Sequence, residues 1–345
     1  MGAMLLLLCL PLSACGGDQG QTAELFAMDT VMTLTAYGGD ADAALTEAQR
    51  EINGLEALLS RTRPDSEISR INAAPAGELV PVGQAVWQLL DRAQRLGAAT
   101  GGAFDITIAP VASAWGFTEQ AYRVPSQEEL AELLTHVGAG QLSLNQDQRR
   151  VSHEAGVKID LGGIAKGYAS DRVADIFARH QLPSAVVSLG GNVYVRGTKP
   201  DGKPWKVGIQ DPKASERYLG VLKLTDAFAI TSGGYQRYFE QNGKIYHHII
   251  DPKTGYPADS GLTSVTVVAD CPYDGQDSQN GALCDAYSTA LFVMGEEKAL
   301  DFWRESDGAF QLVLVTADGR VLVTAGLADK FEQEKDTGYA YEIIS

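Results

Sequence analysis

Two patterns follow one another along this chain, helices early and strands late, and their order constrains the fold more than any other feature. In the first half, "ADAALTEAQREINGLEALLS" places one apolar face of a helix at Leu45, Ala48, Ile52, Leu55 and Leu59. The second half is a series of short strand patterns joined by Gly and Asp turns, namely "AVVSLGGNVYVRG", "PWKVGIQD", "YLGVLKLTDAFAITSGG", "KIYHHIIDP" and "LTSVTVVAD". This order predicts one α+β domain with a mainly antiparallel sheet and packed helices, and not a doubly wound parallel sheet.

Local signals predict individual elements. "LFAMDTVMTLTAY" alternates and is rich in Thr and Val, which predicts one strand. "PVGQAVWQLLDRAQRLGAAT" has helical spacing up to Gly101, and Ser126 with Glu129 forms a capping box that begins another helix. "FQLVLVTADGRVLVTAG" predicts a hairpin on its Asp-Gly turn, and "CDAYSTALFVMGEEKALDFWRE" has helical spacing from Ala286.

The first residues have the pattern of a bacterial lipoprotein signal. A short apolar run from Met4 to Leu12 leads to "LSAC", a small-residue cleavage site directly before Cys15. The run is far below the roughly 20 residues that a membrane-spanning helix needs, and no Lys or Arg precedes it, which departs from the usual signal. We therefore expect a signal peptide over 1–14, a tether over 15–23 with lipid on Cys15, and one folded domain over 24–345. The alternative is an uncleaved apolar terminus.

The net charge and the predicted lipid anchor limit which partners and which location are expected. The chain has 28 Lys and Arg against 44 Asp and Glu, a formal net charge of -16, and no cluster of basic residues. Nucleic acid binding requires such a cluster, so nucleic acid is not an expected partner. A lipid on Cys15 would hold the protein on a bacterial membrane, facing the periplasm or the cell exterior.

In that oxidising location, Cys271 and Cys284 remain as an even pair on either side of a polar stretch. A disulfide between them is the first expectation. A zinc site is the alternative, but the two cysteines are 13 residues apart with no companion histidine.

The stretch "KIDLGGIAKGYA" (158–169) resembles a loop that holds phosphate, although it fits neither the Walker A pattern nor the dinucleotide fingerprint. Adjacent glycines let the backbone approach a ligand, and a helix that begins here would direct its amides at an anion. Lys166 lies in the first turn of that helix. Asp160 repels phosphate and would need a hydroxyl, an amide or a base edge as its partner. The alternative is a tight strand-to-helix turn with a surface lysine.

Eight motifs in order resemble those of the ApbE family of bacterial FAD:protein FMN transferases, once described as thiamine-biosynthesis lipoproteins. They are "MDT" (28–30), "DSEISRIN" (65–72), "FDIT" (104–107) followed by Pro110, "KIDLGGIAKGYASDR" (158–172), "SLGGN" (188–192), "TSGGYQRYF" (231–239), "HIIDPKTGYP" (248–257) and "DAYSTALFVMG" (285–295). The resemblance runs from about Met28 to the C-terminus and implies the family's T-fold-like architecture and an FAD substrate.

The resemblance implies a set of site residues. Those that would contact or line FAD are Met28, Thr62, Phe104, Asp105, Thr107, Asp160, Lys166 and Ile250, with Lys166 at the diphosphate. A cation, expected to be Mg²⁺, would take the backbone oxygen of Gly163 and the side chains of Asp285, Ser288 and Thr289. The last three share one face of a helix turn and supply the oxygen ligands that Mg²⁺ prefers. Thr62 occupies a position that varies in the family.

Among the five histidines, the resemblance gives His248 the role of catalytic base, which suits the pKa range of an imidazole. His247 is expected to point away from the site. Asp251 is expected to shape the turn that follows. The other three, predicted at exposed positions, are His136, His153 and His180.

The implied reaction is Mg²⁺-dependent transfer of FMN from FAD to a threonine of an extracytoplasmic flavoprotein, with release of AMP. Subunits of Na⁺-pumping NADH:quinone oxidoreductases and related electron-transfer complexes are the implied class of acceptor. A metal-dependent FAD pyrophosphatase, with water as the nucleophile, remains open because of Thr62. A non-catalytic flavin-binding lipoprotein is the third reading.

Overall fold

The computed structural model of the chain describes residues 20–118, 120–271 and 279–345. The predicted signal peptide, Cys15 and most of the predicted tether lie outside the described residues. No helix in the described part is long and apolar enough to cross a membrane. The first strand begins at Gln21, so three residues assigned to the tether belong to the folded domain.

The helices and strands confirm the predicted α+β class. The helices are α1 (Ala41–Leu59), α2 (Glu67–Ala73), α3 (Gln84–Ala99), α4 (Ala109–Trp115), α5 (Gln127–Leu134), α6 (Ala165–Arg179), α7 (Asn280–Met294) and α8 (Glu296–Glu305). The strands are β1 (Gln21–Ala27), β2 (Thr30–Tyr37), β3 (Val80–Pro81), β4 (Leu142–Asn145), β5 (Arg150–His153), β6 (Ser184–Leu189), β7 (Asn192–Arg196), β8 (Trp205–Asp211), β9 (Ala214–Leu224), β10 (Ala227–Gly233), β11 (Tyr238–Gln241), β12 (Lys244–His247), β13 (Leu262–Asp270), β14 (Gln311–Thr316), β15 (Arg320–Thr324), β16 (Phe331–Gln333) and β17 (Ala340–Ile344).

A nine-stranded sheet forms the centre of the domain. Its strand order is β1-β2-β6-β7-β10-β13-β14-β15-β17, and every neighbouring pair is antiparallel except β15 with β17. One face packs against α1, α6 and α7 in the main hydrophobic core. The other face packs against the small sheet β16-β9-β8 through a second core. The predicted face of α1 is buried along its whole length, as the spacing required.

One predicted strand is a hairpin. The stretch from Leu25 to Tyr37 was expected to be continuous, but β1 and β2 pair antiparallel and the chain turns at Met28 and Asp29. Both residues have positive φ, at 48° and 64°, which suits the two-residue turn of a right-twisted hairpin. Alternation continues across such a short turn, so the sequence pattern alone does not reveal it.

The predicted Cys271–Cys284 disulfide is wrong for this structure, because the two cysteines are not joined to each other, and both are buried. Cys284 lies within α7, which begins at Asn280 and not near Ala286, and its side chain packs in the core between α7 and the sheet. Burial raises the pKa of the Cys284 thiol well above its usual value. Spacing identified a plausible pair but carries no information about side-chain direction. Much of the polar stretch between them, 272–278, lies outside the described residues.

Candidate active site

The glycine loop leads directly into α6, as predicted. The amide of Asp160 donates to the carbonyl of Ile106 at 2.7 Å, and the Asp160 carboxylate accepts the amide of Gly162 at 2.7 Å. Helix α6 then begins at Ala165 with no cap from its own N-cap side chain. The amide of Ala165 donates to the carbonyl of Leu161 at 2.9 Å and that of Gly167 donates to Asp285, so the amide of Lys166 is the one in this turn that remains for an anion. Lys166 is half-buried in this turn, with its Nζ 3.4 Å from the carbonyl oxygen of Gly162.

Arg61 holds the other side of the loop and was not identified from the sequence. Its Nε lies 2.8 Å from Oδ2 of Asp160, so both carboxylate oxygens of Asp160 have partners within the chain. Arg61 also donates to Ser113 at 2.8 Å and to Thr118. A single arginine beside a turn carries no sequence signal. Contact between Asp160 and a nucleotide remains a prediction, and it would require the carboxylate to share or exchange these partners.

The "FDIT" segment packs beside the loop. A Cβ added at Gly163 would lie 3.2 Å from the ring of Phe104, so this ring closes one side of the loop. The carboxylate of Asp105 accepts the amide of Thr107 at 2.8 Å and its hydroxyl at 2.6 Å. The Thr107 hydroxyl also accepts the amide of Gly138 at 2.7 Å, and Thr107 is fully buried. Asp105 and Thr107 therefore hold the wall in shape, while Phe104 borders the loop itself.

The predicted metal residues lie together where α7 meets the glycine loop. Oδ2 of Asp285 accepts the amide of Gly167 at 2.7 Å, and a Cβ at Gly163 would lie 3.4 Å from Oγ1 of Thr289. Ser288 is fully buried and its hydroxyl donates to the carbonyl of Asp285 at 2.9 Å. Ser232, which was not predicted from the sequence, lies 2.8 Å from Ser288 Oγ and 3.2 Å from Thr289 Oγ1. Only its place in the "TSGGYQRYF" motif hinted at a role.

This donor set fits a hard cation. Among the described residues, no group of three or more His, Cys, Asp and Glu side chains could hold a metal ion. A site here would therefore rest on one carboxylate, neighbouring hydroxyls and a backbone carbonyl. Mg²⁺ accepts such an all-oxygen set and usually keeps several waters and substrate phosphates as its other ligands. The residues present suit Mg²⁺ and offer no thiolate or imidazole ligand for zinc.

His248 follows directly after β12 and is half-buried. Its Nδ1 lies 3.2 Å from the carbonyl oxygen of Arg237. A carbonyl only accepts, so Nδ1 carries the proton and Nε2 keeps a free lone pair. Burial lowers the pKa of His248 to about 4, and the positive charges of Arg237 and Lys166 act in the same direction. His248 is therefore neutral at pH 7 and lies within the electrostatic reach of Lys166.

His247 differs from its neighbour in every contact. Its Nε2 lies 3.0 Å from the carbonyl of Ala258, its Nδ1 accepts the amide of Ile249 at 3.3 Å, and its ring packs edge-on against Phe292. Both ring nitrogens are thus in use, which agrees with the expectation that His247 points away. Asp251 shapes the next turn by accepting the amide of Lys253 at 2.9 Å.

The prediction that three other histidines are solvent-exposed is wrong for His153. This residue is buried, and its two ring nitrogens lie 2.8 Å and 2.9 Å from the carbonyls of Glu154 and Ile71. His136 and His180 are partly exposed. His153 lies on β5, and its position in a short hairpin led to the prediction of a solvent-exposed side chain. Helix α2, which contains Ile71, covers this side of the hairpin.

Three other predicted residues lie around the same region. Met28 sits in the β1–β2 turn and donates its amide to Glu56 at 3.1 Å. The neighbouring Asp29 pairs with Arg237 at 3.1 Å, which connects this turn to the carbonyl that holds His248. Ile250 is buried in a small apolar cluster that includes Trp115, whereas Thr62 is exposed and its hydroxyl lies 3.0 Å from that of Ser60.

The low pKa of His248 predicts the acid limb of the pH–rate profile. If His248 is the base, kcat/KM for the free enzyme should stay level down to about pH 5 and fall tenfold per unit below pH 4. An unperturbed histidine would instead place the inflection near 6.5. Steady-state kinetics from pH 3.5 to 8, with circular dichroism to exclude acid unfolding, test this. An inflection near 6.5 in kcat/KM would contradict the assignment of a desolvated base.

Comparison with known proteins finds a matching family model, similar sequences and similar crystal structures. Residues 28–314 match the model of the ApbE family. The FAD:protein FMN transferase of Treponema pallidum is 32% identical over 354 residues, covering 96% of this chain and 94% of that protein. The crystal structure of the ApbE protein of Thermotoga maritima has a TM-score of 0.82 and 32% identity, covering 92% of this chain and all of that one. The apo flavinyl transferase ApbE of Pseudomonas stutzeri has a TM-score of 0.76 and 31% identity, covering 88% and 92%.

Proposed function

The chain belongs to the ApbE family, and we propose that it is an FAD:protein FMN transferase that moves FMN from FAD to a threonine of a target flavoprotein. One contact supports this most. Oδ2 of Asp285 accepts the amide of Gly167, which joins the glycine loop to the helix that carries the predicted metal ligands. A phosphate loop and a set of hard-cation ligands thereby meet at one point, as diphosphate chemistry requires.

The chain's own residues divide the work of the reaction. The backbone amide and the ammonium of Lys166, at the positive end of α6, hold the FAD diphosphate. Nε2 of His248 takes the proton of the threonine hydroxyl. The threonine oxygen then forms a bond to the FMN phosphorus, the bond from that phosphorus to the bridging oxygen breaks, and AMP leaves with that oxygen. FMN remains on the threonine as a phosphoester.

Asp285, Ser288, Thr289 and the backbone oxygen of Gly163 would hold Mg²⁺. When bound, this ion supplies Lewis-acid neutralisation of the diphosphate charge. The Ser288 hydroxyl donates to the carbonyl of Asp285 and is also hydrogen-bonded to Ser232. Ser232 in turn contacts the Thr289 hydroxyl, so the three hydroxyl groups orient one another. The wall of the FAD site comes from Met28, Phe104, Asp105, Thr107, Asp160 and Ile250, with Thr62 at its exposed margin.

Exposed apolar side chains around His248 favour a protein acceptor over water. In the described part, eight large hydrophobic side chains are exposed, and five belong to segments that reach His248 through the Asp29–Arg237 pair, through Phe117 or through the β11–β12 hairpin. These five form what we term the apolar rim: Phe26, Val31, Tyr122, Tyr238 and Ile245. The first two flank the Met28–Asp29 turn, and the last two lie on the β11–β12 hairpin that leads into His248. Clustered exposed apolar residues mark contact with a macromolecule more often than with a small substrate.

The acceptor and the location follow as parts of the same proposal. We propose lipid on Cys15, attachment to a bacterial membrane, and a site that faces the periplasm or the cell exterior. The acceptor class is an extracytoplasmic flavoprotein segment, such as those in subunits of Na⁺-pumping NADH:quinone oxidoreductases or related electron-transfer complexes. Radiolabelled palmitate on wild type but not on Cys15→Ser would support the anchor.

The apolar rim gives a prediction that separates acceptor binding from FAD binding. Tyr238 is 53% exposed on β11, and Tyr238→Ser should raise KM for the protein acceptor about tenfold without changing KM for FAD. Tyr218→Ser is the matched control, because Tyr218 is 55% exposed but lies on β9 in the small β16-β9-β8 sheet. Equal effects of the two substitutions on KM for the acceptor would contradict a role for the rim.

The function itself is tested by product analysis. The protein is incubated with FAD, Mg²⁺ and a threonine-bearing acceptor, and the acceptor is examined by mass spectrometry. An added mass equal to FMN, with AMP in solution, supports the transferase. Free FMN and AMP without modified acceptor would support the pyrophosphatase alternative, and absence of both products would favour a non-catalytic flavin-binding protein.

A further inference from the structure

The N-terminal ends of α6 and α7 cap each other. Asp171 of α6 accepts the amide of Gly281 through Oδ1 at 2.7 Å and the amide of Ala282 through Oδ2 at 2.9 Å. Asp285 of α7 in turn accepts the amide of Gly167 in the first turn of α6 at 2.7 Å. The first amides of a helix have no partner within it, so each helix supplies a carboxylate to the other. Both aspartates are almost fully buried.

Two glycines bring these helix ends into direct contact. A Cβ at Gly167 would clash with the carbonyl of Gly281, and a Cβ at Gly281 would clash with the carbonyl of Gly167. The clash is with backbone on both sides, so it cannot be relieved by a side-chain rotation. The two helices therefore meet at a single separation, and the reciprocal caps fix how far one is displaced along the other.

Arg92 of α3 compensates the charge of Asp171. Its guanidinium lies 3.3 Å from Oδ2 of Asp171, and the two side chains are 12% and 1% exposed. A buried carboxylate is stable only with such partners, and here they are Arg92 and the positive end of α7. Asp171 is thus bound from two sides and cannot change its position without breaking several contacts.

We propose that Asp171 is a positioning residue for the candidate metal site. This rests on the proposed function, because it assumes that Asp285 and Thr289 bind Mg²⁺. Asp171 fixes the first turn of α7, and Asp285 lies one turn further along the same helix. On the other side, Gly163 precedes the α6 turn that Asp285 caps. Asp171 therefore sets the separation between the Gly163 carbonyl and the oxygens of Asp285 and Thr289 before the cation binds.

The first test uses Asp171→Asn, which keeps one acceptor oxygen and the side-chain volume but loses the charge and one cap. The dissociation constant of Mg²⁺ should rise about tenfold, as it does when a residue that orients metal ligands is lost. Calorimetry and the Mg²⁺-dependent rise in melting temperature, each with and without FAD, measure this independently of turnover. In activity assays, kcat should recover at saturating Mg²⁺ while the half-saturating concentration increases.

Asp211→Asn is the matched control. Asp211 is also fully buried and binds the amide of Lys213 and the guanidinium of Arg217, but it ends β8 in the small β16-β9-β8 sheet. Its substitution should lower the melting temperature without changing the Mg²⁺ midpoint. Arg92→Gln leaves both caps on α7 in place. It should shift the Mg²⁺ midpoint in the same direction as Asp171→Asn, but by a smaller amount. This variant provides a second measurement if Asp171→Asn does not fold.

The outcomes separate the two proposals. A weaker Mg²⁺ response in the Asp171 and Arg92 variants, but not in Asp211→Asn, supports the positioning role. A normal Mg²⁺ midpoint in both Asp171→Asn and Arg92→Gln, with wild type responding to Mg²⁺, overturns the positioning role and leaves the metal site standing. A wild-type protein with no Mg²⁺ response in either assay overturns the metal site and the positioning role together.

Discussion

Asp285→Asn is expected to lower kcat about 1,000-fold, the loss seen when one principal electrostatic contact to a transition state is removed. The substitution converts the one carboxylate of the predicted donor set into an amide, which is a far weaker ligand for Mg²⁺. It keeps an oxygen that can accept the amide of Gly167, so the cap on α6 survives. The melting temperature should therefore change by less than about 3 °C.

Asp285→Ala separates the two roles of this carboxylate. Alanine removes the ligand and also leaves the buried amide of Gly167 without its partner, at about 1–3 kcal/mol of unfolding free energy. We expect equal loss of activity in both variants and a lower melting temperature only for alanine. FAD affinity, measured by quenching of flavin fluorescence, should fall less in either variant than in Lys166→Met, which loses the direct diphosphate contact. A wild-type Mg²⁺-dependent rate in Asp285→Asn would show that the metal assignment is wrong.

The sequence predicted most of the secondary structure because its signals were local. The buried face of α1, the capping box at Ser126 and the hairpin on the Asp-Gly turn each depend on residues a few positions apart. The hairpin at Met28 and Asp29 was missed because Met rarely adopts positive φ and no glycine follows Asp29, so a continuous strand fitted the alternation equally well. The disulfide was wrong because spacing does not determine which way a thiol points.

The candidate site was predicted in outline but not in its connections. The resemblance selected the glycine loop and the "DAYST" segment, and the structure brings Gly163 and Thr289 together from positions more than 100 residues apart. Asp171 and Ser232 lie in two of the quoted motifs, but what these side chains and Arg61 contact depends on tertiary packing, which no periodicity or motif rule gives. Long-range hydrogen bonds to buried carboxylates are the part of such a site that the sequence by itself does not predict.

His248→Ala is expected to lower kcat for FMN transfer about 1,000-fold, which is within the range for loss of a general base. The physical reason is that Nδ1 carries the ring proton and donates it to the carbonyl of Arg237. Nε2 therefore has a free lone pair that can accept the proton of the threonine hydroxyl. The backbone should remain in place, because the amide of His248 also donates to that carbonyl at 3.1 Å. Single-turnover kinetics with a protein acceptor and saturating FAD and Mg²⁺ measure the chemical step. Added imidazole should restore part of the rate.

His247→Ala provides the matched control and the opposite expectation. The imidazole of His247 uses both nitrogens in hydrogen bonds and packs against Phe292, so alanine removes structural contacts and no catalytic lone pair. We expect a lower melting temperature for His247→Ala than for His248→Ala, with kcat close to wild type. This crossed pattern distinguishes a base from a residue that only supports the fold, because general destabilisation would lower activity and melting temperature together in both variants. If His248→Ala retains the wild-type rate, or if His247→Ala loses as much, proton transfer must be assigned to another group.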